Sequence, residues 1–211
     1  MTFADYSGAY ARELETALEA GRRAATVILE FYEAQSATTY TKGDGSPVTD
    51  ADLASDRVIR ETISNAFPGD ALLTEEGAKD VDRLTNDRCW IVDPIDGTAQ
   101  YVARTGLFDV MIALCVDGRP VVAVSVQPVA SRIQAAVAGA GAWEFVGGQA
   151  NRLLFAPAST PPRLVADLIT PTVAQTASAA AASGSSKARI APNPLICAAA
   201  RAWPGSELRP G

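Results

Sequence analysis

The chain has 211 residues, a net charge of −6 and no histidine. The charge argues against a broad basic face for nucleic acid, and the missing imidazole excludes Ser-His and Cys-His nucleophile pairs, histidine general bases and histidine-ligated zinc. With 48% apolar and 20% charged residues, the composition is that of a globular protein with a sizeable core. Any catalysis must therefore use carboxylates, lysine, hydroxyls, backbone groups or a metal held by oxygen.

Residues 4 to 34 read as a long amphipathic helix, with Leu14, Leu18, Ala25, Ile28, Leu29 and Tyr32 near one face. The turn-rich run Lys42-Gly43-Asp44-Gly45-Ser46-Pro47 follows. Thr49 or Asp50 caps a second predicted helix, which runs to about Ala66 and ends at Pro68-Gly69. Ala71 to Thr74 is a short strand candidate leading into Glu75-Glu76-Gly77. Trp90-Ile91-Val92 is another, stopped by Asp93-Pro94. Asp109 to Val116, Pro120 to Val126, Ile133 to Val137 and Ala142 to Val146 complete the strands. Asp117-Gly118 makes a hairpin turn, and Gly147-Gly148 turns the chain again. Helices followed by an antiparallel sheet predict an α+β layout.

Residues 1–150 are thus expected to form an α+β domain, with 151–186 a partial α/β domain that includes a strand candidate from Leu164 to Ile169. Residues 187–211 are basic and Pro-rich, carrying Lys187, Arg189, Arg201 and Arg209 against Glu207 alone. The N-terminus carries early acids and no apolar run, and no stretch reaches the roughly 20 apolar residues of a membrane helix. Three cysteines without metal-type spacing, Cys89, Cys115 and Cys197, suggest free thiols in a reducing compartment. These features predict a cytoplasmic protein without membrane or nucleic-acid partners.

The chemistry is concentrated in Trp90-Ile91-Val92-Asp93-Pro94-Ile95-Asp96-Gly97-Thr98. A buried strand delivers Asp93, the proline bends the chain so that Asp96 turns back, and Thr98 offers a hydroxyl and an N–H. Two carboxylates at that spacing suit Mg²⁺, which prefers a few carboxylates, waters and phosphate oxygens. Taken alone, such a turn is more often an Asp-rich turn with local hydrogen bonds. Glu75-Glu76 reads either as a further carboxylate or as a solvated turn. Asp52 reads as a helix N-terminal acid or as a group that orients a water together with Thr98.

In combination, K-G-D-G-S-P-V-T-D-A-D from Lys42, T-E-E-G from Thr74 and W-I-V-D-P-I-D-G-T from Trp90 resemble the inositol monophosphatase superfamily. The likeness covers about residues 40–150 well and the first helix loosely. It implies a layered α-β-α-β-α sugar-phosphatase sandwich with the C-terminal layers incomplete, two or three Mg²⁺ ions with Mn²⁺ as the alternative, and a homodimer. By resemblance, Glu76, Asp93 and the Ile95 carbonyl hold a first ion, Asp93 and Asp96 a second, and Glu76 lies near a third. Thr98 and Asp52 position and deprotonate the nucleophilic water, the Gly97 and Thr98 N–H groups bind the phosphate, and Lys42 is a loop lysine near the metals. The implied activity is in-line hydrolysis of a small phosphomonoester. Inositol monophosphate is favoured by Tyr101, three residues after Thr98, and a 3'(2'),5'-bisphosphate nucleotide is the alternative.

One family ligand is not found, an Asp after Trp near the C-terminus. Trp203 is followed by Pro204, and after Asp117 the only aspartate is Asp167. Gly184-Ser185-Ser186 resembles a short family segment near the substrate pocket. The change of composition there leads us to expect a frameshift or truncation near Lys187. It leaves a second expectation of another class, a catalytically impaired remnant without enzymatic activity.

Overall fold

The computed structural model describes residues 6–77 and 86–153. The expectations placed on residues 154–211, including the Leu164 strand, Asp167, the Gly184 segment, Cys197 and Trp203, lie outside the described residues.

Two helices pack on one face of a seven-stranded sheet. α1 spans Ala11–Ala34 and buries Leu14, Ala17, Leu18, Gly21, Ala24, Ala25 and Ile28, the 3.6-residue stripe that the sequence carries. α2 spans Asp50–Ala66 and buries Ile59 and Ile63 with the small Ala51 and Ser55. The helices lie against one another, α1 against the middle strands and α2 against the strand that delivers Asp93. Their apolar faces meet Trp90, Val92, Val110, Ile112, Leu114, Val122 and Val124 in one core. Gly21 lets α1 come close to the sheet, since a Cβ there would stand 2.8 Å from Val126 Cγ2. The opposite sheet face is small at its centre, with Ala113, Ala123, Ala136 and Ala142 buried together.

The large sheet runs in chain order: β3 (Ala71–Thr74), β4 (Arg88–Asp96), β5 (Asp109–Val116), β6 (Arg119–Gln127), β7 (Arg132–Val137), β8 (Gly141–Val146) and β9 (Gln149–Leu153). A short hairpin of β1 (Thr39–Thr41) and β2 (Pro47–Thr49) precedes α2. Asp117-Gly118 does turn β5 into β6, with positive φ at both residues, 51° and 71°, as a type I′ turn requires.

Two features depart from the antiparallel expectation. β3 pairs with β4 in parallel, from Ala71 opposite Cys89 to Thr74 opposite Val92. And β4 does not stop at Asp93-Pro94. It continues to Asp96, with its register against β5 shifting between Asp93 and Asp96. Pro94 is tolerated because it falls in that irregularity, beyond the last residue paired with β3, where no ladder N–H is needed.

Candidate active site

The parallel pair fixes the location. Thr74 and Val92 face each other where the pairing of β3 with β4 ends, so Glu75-Glu76 and Asp93 lie at the same end of that parallel pair, the usual place for ligand sites in sheets with parallel strands. The Glu75 N–H donates to the Val92 carbonyl at 3.1 Å, tying the two strand ends together.

Asp52 arrives from α2. It is the third residue of the helix and closes a capping box with Thr49. Its Oδ2 accepts from the Thr49 N–H at 2.8 Å and from the Thr49 hydroxyl at 2.5 Å. Its Oδ1 is left for the Thr98 hydroxyl, which donates to it at 3.0 Å. Asp52 thus caps the helix with one oxygen and meets Thr98 with the other. Only 1% of Asp52 is exposed, and burial pushes its carboxyl up, against the opposing bonds from Thr49 and Thr98.

Thr98 opens a short helix, α3 (Thr98–Val102), which the sequence reading missed. Gly97 precedes it at φ 95°, a left-handed conformation that glycine adopts without strain. A Cβ at Gly97 would also press on the Leu107 carbonyl at 3.2 Å. Tyr101 anchors α3, its ring 5.4 Å from Tyr32 and 5.2 Å from Phe108. Tyr101 is only 5% exposed, so it is a core side chain. The signal for α3 was weak because five residues after a glycine carry no period.

Asp93 accepts from the Ile95 N–H at 3.1 Å, which folds the turn back on itself. Burial first, then the charge of Glu75 and a hydrogen bond shared with it, then Asp96, push the Asp93 carboxyl up to about 8. The glutamate that faces Asp93 is thus Glu75. Glu76 is more deeply placed, its side chain 6% exposed against 44% for Glu75, and it faces Lys42, Glu75 and Asp52. Lys42 Nζ lies 2.6 Å from an oxygen of each glutamate. Burial works against its ammonium, but the two glutamates outweigh that and hold its pKa above the ordinary lysine range. Asp96 is exposed at the end of β4.

The residue types suit a hard divalent cation: Glu75, Glu76, Asp93 and Asp96 carry carboxylate oxygens, and the Ile95 backbone offers a carbonyl. Among the described residues, no three acidic, cysteine or histidine side chains are close enough in this arrangement to share one ion. Lys42 serves as the cation between the glutamates.

A mixed α+β layout, with the sheet backed by two helices, thus carries a hydroxyl–carboxylate pair beside an acidic strand end. The sequence model of the inositol monophosphatase family matches residues 10–197, and the chain belongs to that family. It is 37% identical over 131 residues to a histidinol-phosphatase of Chlorobaculum parvum, covering 62% of this chain and 50% of that protein. It is 33% identical over 144 residues to the 3'(2'),5'-bisphosphate nucleotidase CysQ of Aggregatibacter actinomycetemcomitans, covering 67% and 53%. Among solved structures, CysQ from Bacteroides thetaiotaomicron superposes with a TM-score of 0.59 at 27% identity, over 80% of this chain and 68% of that one. The SuhB protein of Bartonella henselae gives 0.58 at 28%, over 62% and 50%. The chain spans about half the length of the curated relatives it matches. No described helix is long and apolar enough to cross a membrane.

Proposed function

We propose that the chain carries the water-activating half of a Mg²⁺-dependent phosphomonoesterase, with inositol monophosphate as first substrate. The observation that carries this reading is the Thr98–Asp52 hydrogen bond of 3.0 Å, set beside an acidic strand end that suits hard cations. A cation bound there would offset the phosphate charge and lower the pKa of water. Asp93, the Ile95 carbonyl and Asp96 would hold it. Of the two glutamates, Glu75 is the one placed to join Asp93, with Glu76 between Lys42 and Asp52. Mn²⁺ meets the same oxygen preference.

Thr98 is the group that touches the attacking water. As the water attacks, its proton goes to Thr98 Oγ1 while the Thr98 hydroxyl proton goes to Asp52 Oδ1, whose other oxygen stays bonded to Thr49, so the acceptor cannot rotate away. Burial raises the Asp52 carboxyl above its ordinary value, which makes it the stronger proton acceptor. The Gly97 and Thr98 amides, at the start of α3, orient the phosphate for in-line attack. Lys42 balances charge around the glutamates. No histidine is needed.

A bisphosphate nucleotide is the second substrate reading, supported by the likeness to the two CysQ proteins. Phosphate release from inositol 1-phosphate, 3'-phosphoadenosine 5'-phosphate and histidinol phosphate by one Mg²⁺-loaded preparation separates the readings. Preference for the inositol ester supports the first, preference for the nucleotide the second. Release from none by folded protein supports the impaired remnant.

A further inference from the structure

Beyond the groups assigned to the reaction, α2 is fastened to the acidic turn by contacts that the chemistry above does not use. Asp52, Asp56 and Arg60 follow one another at four-residue steps on α2, along one face of the helix. Arg60 Nη1 donates to the Thr74 hydroxyl at 3.3 Å. Arg60 Nε lies 3.9 Å from Asp56 Oδ2. The same Thr74 hydroxyl faces the Asp56 carboxylate. Thr74 is 4% exposed and Asp56 8%, and Asp56 Oδ1 is buried without a hydrogen-bond partner. On the far side of the turn, a Cβ at Gly77 would collide with both Arg60 Nη1 and Thr74 Oγ1. The guanidinium and the hydroxyl thus fill the space where a side chain at residue 77 would stand.

We propose that Asp56, Arg60, Thr74 and Gly77 form a positioning latch that holds the Glu75-Glu76 turn against α2. The latch sets where the two glutamates stand relative to Asp93 on β4 and to the Thr98–Asp52 pair. Thr74 is one peptide bond from Glu75, and the Glu75 N–H is already bonded to Val92. Gripping the Thr74 side chain from α2 therefore removes the remaining freedom of the turn. None of the four residues touches the proposed substrate or cation. They act through the backbone that carries Glu75 and Glu76, as outer partners of metal ligands generally do. The role of the latch in cation binding rests on the metal-dependent reading above, but its effect on the turn does not.

The Arg60–Asp56 pair is partly solvent-facing and long, so its share of global stability is small. This separates positioning from mere structure. The test uses the full chain as wild type, Thr74→Val, Thr74→Ser and Arg60→Met. Amide hydrogen exchange at Glu75 and Glu76 is measured by NMR without metal, beside thermal unfolding and Mg²⁺ titration by calorimetry. Thr74→Val and Arg60→Met are expected to speed exchange at Glu75 and Glu76 while Ile112 and Val124 exchange as in wild type. They should also weaken Mg²⁺ about tenfold or more. Thr74→Ser, which restores the hydroxyl, should recover both.

Unchanged exchange at Glu75 and Glu76 in Thr74→Val, or an equal rise across the whole sheet, overturns the latch. Altered turn exchange with wild-type Mg²⁺ affinity overturns its role in positioning the carboxylates. A wild-type chain that binds no Mg²⁺, yet shows the local exchange effect with serine rescue, supports the latch and overturns the metal-dependent reading instead.

Discussion

The Thr98 hydroxyl and Asp52 Oδ1 meet at 3.0 Å across 46 residues of sequence, joining the end of β4 to the first turn of α2. Neither residue is placed by its partner. Asp52 is fixed by its capping box with Thr49, and Thr98 by the Gly97 turn and the packing of Tyr101 on Tyr32 and Phe108. A pair held independently from both sides is preorganised, which is what proton transfer in a transition state requires.

Replacing either member should cost turnover more than binding. Asp52→Asn keeps an acceptor for the cap but removes the base, and Thr98→Val removes the hydroxyl. Each is expected to lower kcat by about 10²-fold or more with KM changed only a few-fold. The double variant should be little worse than the poorer single, because the two act as one unit. Initial rates of phosphate release on the four proteins check this, and multiplicative losses contradict it.

Lys42 is the cation between Glu75 and Glu76, so Lys42→Met leaves two close acids without a counter-charge. Without metal, this variant should melt below wild type at pH 7. The deficit should shrink as the pH is lowered and Glu76, whose carboxyl burial pushes up, takes up its proton. In wild type the ammonium stays charged up to and beyond the ordinary lysine range, so its contribution is present throughout neutral pH and is lost only in strong alkali. Calorimetric melting at pH 4, 5.5 and 7 reads the difference.

Asp56 gives the opposite sign. Burial raises its carboxyl, partly offset by Thr74 and Arg60. The unfolded chain ionises this group near the ordinary aspartate value of about 3.9, and the folded chain at a higher pH. Between those values the folded protein holds a proton that the unfolded one has lost, so stability falls as pH rises through the window. Asp56→Asn keeps an oxygen for Thr74 and removes this loss. Its melting temperature should gain on wild type as pH rises above about 4, and a gain that shrinks with pH contradicts the assignment.

Gly21 tests the packing of α1. Alanine is the better helix former by about 1 kcal/mol, yet its methyl would stand 2.8 Å from Val126 Cγ2. Overpacking should win, and Gly21→Ala is expected to destabilise the protein by about 1–3 kcal/mol. Urea unfolding measures it. A more stable variant would show that α1 can lift off the sheet without penalty.

Much of the fold was legible because its signals are local. α2 runs Asp50–Ala66 and β5 runs Asp109–Val116, as a capping threonine, a Pro-Gly stop and a β-rich run announce. The parallel pairing of β3 with β4 was not legible, since strand direction depends on partners distant in sequence. Nor was the passage of β4 through Pro94, because a proline reads as a stop unless the register shift beside it is known. The short β1–β2 hairpin, α3 and β9 were missed for lack of period; β9 in particular is mostly exposed.

The site was legible in its residue types and less so in their partnerships. Asp52 and Thr98, which the resemblance names together, meet at 3.0 Å. Of the adjacent glutamates, the resemblance pointed to Glu76 as the partner of Asp93, whereas Glu75 is the one that faces it, because which of the two turns that way depends on the pleat at the end of β3. The latch of Asp56, Arg60 and Thr74 had no sequence signal at all, since each is an ordinary surface-type residue until α2 and β3 are packed together.

The most direct measurement is phosphate release from inositol 1-phosphate by the purified chain, with and without Mg²⁺, beside Asp93→Asn and Thr98→Val. The account predicts release that depends on Mg²⁺ and falls by about 10²-fold or more in both variants. Release that persists in chelator, or that survives in Asp93→Asn and Thr98→Val at the wild-type rate, would contradict it.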